Sequence, residues 1–116
     1  MGNKKQPYYI HLRGGQPFAF AGLWDHWEAE GQVTIDSCTI ITCDSNQLVG
    51  TIHDRMPVIL PPKLYGEWLN GGTKRTRLEA LLKSYPDTLM EMWPVGLEVN
   101  SPTNNSAKLV KPVHGP

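Results

Sequence analysis

His53, Asp54 and Arg55 sit together in the segment Ile52-His53-Asp54-Arg55-Met56-Pro57, and each side chain carries chemistry. An imidazole, with an unperturbed pKa of about 6.5, gives or takes a proton at neutral pH. The planar guanidinium of Arg55 matches a phosphate. Met56 precedes a proline and is biased toward extended backbone. The triplet therefore falls where a loop runs into a strand, a frequent location for functional side chains. Alternation along an extended segment lets His53 and Arg55 share a face while Asp54 points away. On residue types alone, such a triplet is structural more often than catalytic.

Other constellations are weaker. His11, His26, Cys38, Cys43 and His53 lack the short ligand pairs of structural zinc sites, so neither a metal nor a cofactor is expected. Gly71-Gly72-Thr73-Lys74 lacks the leading glycine of a phosphate loop and follows a helical segment, and helix termination explains it. Lys74, Arg75, Arg77 and Lys83, with Lys63 upstream, form the basic cluster. It reads first as a solvated helix face, and otherwise as a contact to phosphates.

The elements that must position these groups are short. Ten prolines and eleven glycines in 116 residues exclude a long helical bundle. Eleven basic residues balance eleven acidic ones, with a pI near 6.9, so global charge does not support coating of a polyanion. Mean hydropathy is −0.36. No apolar run approaches the roughly 18 residues needed to span a bilayer. The start Met1-Gly2-Asn3-Lys4-Lys5-Gln6 has neither a secretory apolar core nor a myristoylation pattern. A cytoplasmic protein is expected, nucleoid-associated if bacterial, with no membrane partner.

Pro7–Leu12 and Pro17–Trp24 read as strands joined through Gly14-Gly15 into a hairpin. Asp25 to Gly31 reads as a polar loop, and residues 33–42 as the strongest strand. Asp44 to Val49 suits one helical turn. Helices are expected from about Pro61 to Asn70 and around Leu78, Leu81 and Leu82. Strands are expected over Leu89–Val95 and Leu109–Val113. Cys38 and Cys43 should project to opposite faces, which argues against a disulfide. The fold class is α+β, mainly antiparallel β with two short helices.

With these residues in place, the chain resembles the SRAP family (SOS response-associated peptidases). Ile52–Pro57 matches its I-H-x-R-M-P motif. Lys5-Gln6-Pro7-Tyr8-Tyr9-Ile10 matches K-x-P-Y-x-I, and Ala21-Gly22-Leu23-Trp24 matches A-G-L-W. Thr39-Ile40-Ile41-Thr42 falls eleven residues before His53, as F-x-I-[IV]-T does. Pro94-Val95 to Pro102 and Leu109–Val113 match the closing signatures.

The resemblance implies an incomplete barrel-like SRAP fold and a DNA-damage function on abasic sites in single-stranded DNA. Family members cross-link to the opened sugar through an N-terminal cysteine, whose thiol and amine form a thiazolidine, and the same nucleophile serves self-cleavage. His53 would then assist ring opening and reversal, with Arg55 and Thr42 contacting DNA. Residue 2 is Gly2, and the family's Cys, Asn and Glu motifs precede its K-x-P-Y segment. Residues 1–116 are therefore expected to be the C-terminal part of a single SRAP domain, unable to cross-link alone. A fragment that pairs with a separate N-terminal half, or a degenerate remnant, is the alternative.

Overall fold

The computed structural model describes residues 5–31 and 33–113. Their elements are β1 (Tyr8–Leu12), β2 (Ala19–Phe20), β3 (Gly22–Glu28), β4 (Thr34–Ile40), β5 (Thr42–Asp44), β6 (Arg55–Pro57), β7 (Ile59–Leu60), α1 (Tyr65–Leu69), α2 (Arg75–Ala80) and β8 (Met90–Pro94), with 3-10 turns between. Every strand pairing is antiparallel and the two helices are short, which makes the fold α+β. No closed barrel forms among the described residues. The chain divides into two compact units, one of the residues up to Gln16 with those from Thr88 onward, the other Pro17–Asp87.

In the first unit β1 pairs with β8, from Tyr8 opposite Pro94 to Leu12 opposite Met90. The expected hairpin between Pro7–Leu12 and Pro17–Trp24 does not form. Gly14 and Gly15 do adopt the positive φ of a tight turn, 92° and 75°, and Gly15 N–H closes it on Leu12 O at 2.9 Å. Pro17, however, has no N–H to continue a ladder, and β1 buries Leu12 by pairing with β8. The expected strand at Leu109–Val113 is instead a 3-10 turn over Ala107–Val110. Pro112 removes the donor a ladder would need, and Val113 N–H alone reaches Pro94 O, at 2.8 Å.

The second unit is organised by three strand breaks. The strong strand expected over 33–42 is interrupted at Ile41, between β4 and β5. Ala21 separates β2 from β3, and Val58 separates β6 from β7. Each break is a change of partner: β2 pairs with β7, β3 with β4, and β5 with β6. The three break residues bond one another in a ring. Ala21 N–H donates to Val58 O at 2.8 Å, Val58 N–H to Ile41 O at 2.9 Å, and Ile41 N–H to Ala21 O at 3.0 Å. Three strand runs thereby pair cyclically, and no buried backbone group at the junction is stranded. Ala21 and Val58, fully buried, form the core with Leu60 and Leu81, against which Ile41, Cys43, Tyr65 and Trp68 pack.

Asp25–Glu28, expected as loop, continues β3 in register with β4, from Gly22 opposite Ile40 to Glu28 opposite Thr34. The sequence reads as loop there because both faces of this hairpin are exposed, so no alternation of apolar and polar residues develops. Gly31, with φ 88°, makes its turn.

Candidate nucleic-acid interface

β5 and β6 build the site. Their register sets Thr42 opposite Pro57, Cys43 opposite Met56 and Asp44 opposite Arg55. Alternation sends Met56 into the interior, 2% exposed, and leaves Thr42, Asp44 and Arg55 on one outward face. The Arg55 guanidinium lies along β5. Its Nη1 donates to Asp44 Oδ1 at 2.8 Å, and its Nη2 donates to Thr42 O and Thr42 Oγ1, each at 3.1 Å. The sequence flagged Arg55 and Thr42. It missed Asp44, whose signal was its position two residues after Thr42 on the same strand face.

His53 sits at the end of a braced loop. Asn46 Oδ1 accepts the Val49 N–H at 2.9 Å, and Asn46 Nδ2 donates to Tyr85 O at 2.8 Å. The 3-10 turn Val49–Thr51 follows, and His53 N–H donates to Val49 O at 2.9 Å. Asn46 N–H also reaches the buried Met56 Sδ at 3.3 Å, tying the loop to β6.

The ring of His53 lies 3.1 Å from the Arg55 N–H and 3.0 Å from Arg55 O, both through Nδ1. As an acceptor Nδ1 takes the Arg55 N–H, and as a donor it gives to Arg55 O. Either tautomer therefore keeps a backbone partner, while Nε2 has none among the described residues. Asp54 does not simply point away: its Oδ1 is 3.4 Å from His53 Nδ1. The exposed His53 ring thus rests on the Arg55 backbone, while the Arg55 guanidinium reaches Thr42 and Asp44.

Cys43 faces the other way. Burial pushes its thiol up, against the opposing pull of Arg55, and Asp44 adds to the rise. Both cysteines are free thiols. The other sequence candidates take other partners. His11 is buried on β1, stacked on Tyr9 with ring centroids 4.8 Å apart. His26 bridges Asp36 and Glu28 on the β3–β4 hairpin. In the basic cluster Arg75 pairs with Glu79 at 2.8 Å, and Arg77 with Glu67. No group of three or more His, Cys, Asp or Glu that could hold a metal ion occurs among the described residues. No helix among them is long and apolar enough to cross a membrane.

Comparison with known proteins adds the family. The chain is 44% identical over 108 residues to the abasic site processing protein YoqW of Bacillus subtilis, covering 92% of this chain and 48% of that protein. It is 34% identical over 123 residues to the abasic site processing protein HMCES of Xenopus tropicalis, covering 90% of this chain and 36% of that one. A crystal structure of a Bacteroides thetaiotaomicron protein superposes with a TM-score of 0.85 at 26% identity, over 98% of this chain and 51% of that one. The chain spans about half the length of the Bacillus relative it matches. The family pattern for SOS response associated peptidase (SRAP) matches residues 1–102, and the chain belongs to that family.

Proposed function

We propose that these residues form the C-terminal part of a SRAP domain that processes abasic sites in single-stranded DNA. A complementary N-terminal half would supply the cysteine and glutamate of the reaction. The observation that carries the reading is the β5–β6 surface, with the His53 ring on the Arg55 backbone and the Arg55 fork held against Thr42. Family membership and relatives named for abasic site processing support it.

In this reading Arg55 and Thr42 hold backbone phosphate near the lesion, and His53 moves the proton that opens the sugar to its aldehyde. The amine and thiol of an N-terminal cysteine then condense with that aldehyde. One water leaves and a thiazolidine cross-link remains. The same cysteine would act in self-cleavage. Neither Cys38 nor Cys43 substitutes, because neither carries a free α-amine.

Incubating the chain with abasic single-stranded DNA and running a denaturing gel should give no covalent adduct. Adding a family N-terminal half should restore one. A stable adduct from the chain alone would overturn the assignment of the nucleophile to the other half. No adduct from the mixture would overturn the pairing.

A further inference from the structure

The β3–β4 hairpin exposes large apolar side chains on both faces, among them Leu23, Trp24, Trp27, Ile35 and Ile40, with Trp24 76% exposed. A two-stranded ribbon bare on both faces is marginal in water, and exposed apolar surface of this kind marks interaction sites. Beyond Gly22, the outer edge of β3 has no backbone partner among the described residues. The His26 N–H turns to its neighbour's Asp25 Oδ1, at 2.9 Å. An open edge of this sort templates another strand.

Charge selects the occupant. Asp25, Glu28, Glu30 and Asp36 lie in the hairpin, and no Lys or Arg occurs anywhere from Gly14 to Asp54. Such an edge repels phosphate. Pairing with a second copy of itself would gather the carboxylates of two hairpins with no Lys or Arg from this stretch to offset them. On β3, Trp27 and Asp25 are neighbours on one face, and Trp24 and Glu28 share the other with His26 between them.

We propose that the outer edge of β3 takes an extended cationic protein segment as a third strand. Backbone hydrogen bonds run along Trp24–Glu28. Apolar side chains of the segment cover Trp24 and Trp27, and Lys or Arg side chains face Asp25 and Glu28. An antiparallel segment meets this pattern with a cation, an apolar residue and a spacer in repeat. The inference stands on the hairpin alone and does not require the DNA reading.

The test titrates the full chain with a short peptide repeating Lys-Val-Thr, with its Glu-Val-Thr counterpart, and with oligothymidylate. It follows hydrogen exchange at the outward amides of Trp24, His26 and Glu28, and tryptophan emission. The lysine peptide should slow exchange at those amides and shift the emission to the blue. The paired change Asp25→Asn with Glu28→Gln, at two exposed positions, should weaken its binding about tenfold and leave the fold intact. The proposal is overturned if the lysine peptide gives no protection there, or if the glutamate peptide protects equally. It is also overturned if oligothymidylate protects the edge, or if the chain protects it by self-association without peptide. DNA binding left unchanged by Arg55→Ala, with peptide protection retained, would sink the DNA reading alone.

Discussion

Asp44 and Arg55 stand directly opposite each other across the β5–β6 ladder, with Arg55 Nη1 2.8 Å from Asp44 Oδ1. The guanidinium is therefore pre-oriented, its long side chain already laid against Thr42. Its positive charge is partly offset at the same time. A phosphate reaching Arg55 must compete with, or displace, an exposed carboxylate.

Arg55→Ala should weaken binding of abasic single-stranded DNA and lower the slope of log affinity against log salt by about 0.7, the loss of one phosphate contact. Asp44→Asn keeps an acceptor for Nη1 while removing the charge, and should strengthen binding. Fluorescence anisotropy across a salt series checks both. An unchanged slope in Arg55→Ala would remove Arg55 from the phosphate contacts.

His53→Ala should slow cross-link formation and reversal by roughly 10²-fold in the mixture with a complementary half, the scale of a lost general acid–base group. Stability should stay within about 0.5 kcal/mol, because the ring is exposed. Time courses on denaturing gels give the rates and urea unfolding gives the stability. A full rate in the variant would refute the role of His53.

Ala21→Val should lower the urea midpoint with an unchanged slope. Ala21 is fully buried at the ring of Ala21, Ile41 and Val58. Two added methyl carbons there must displace close-packed neighbours, at about 1–3 kcal/mol. A midpoint equal to the parent's would mean that the junction is loosely packed.

Two surface clusters should respond to pH in opposite directions. Hydrogen bonds to Asp36 and Glu28 raise the His26 pKa above 6.5. Its contribution is therefore complete below that value and is lost as pH rises through the raised folded pKa. The hydrogen bond from Arg77 lowers the Glu67 pKa below 4.5. Its contribution is present above 4.5 and is lost as pH falls through the lowered folded pKa. Thermal unfolding of His26→Gln and Glu67→Gln beside the parent chain, from acid to mildly alkaline pH, checks both signs. A parent–variant difference that does not change with pH would contradict them.

The candidate-site residues could be picked out in the sequence because they sit in a short linear motif. Ile52–Pro57 lies on one loop-to-strand junction, and Thr42 ends a recognisable β-branched run. The two helices and the β8 segment were equally legible, from leucine spacing and from a bounded apolar stretch. Asp44 was not, because its meaning depends on cross-strand register.

Local chemistry determined the composition class, the turn at Gly14-Gly15 and the residues able to handle protons and phosphate. Partner choice was decided only in three dimensions. Tyr8–Leu12 passes over its sequence neighbour for β8, and three continuous-looking strands break at Ala21, Ile41 and Val58 so that each can pair with two others. Backbone hydrogen bonds have no sequence preference of their own. Which strands exchange them is settled by which pairing buries Leu12 in the first unit, and Ala21, Val58 and Leu60 in the second, with their amides satisfied, and that depends on residues far apart in sequence.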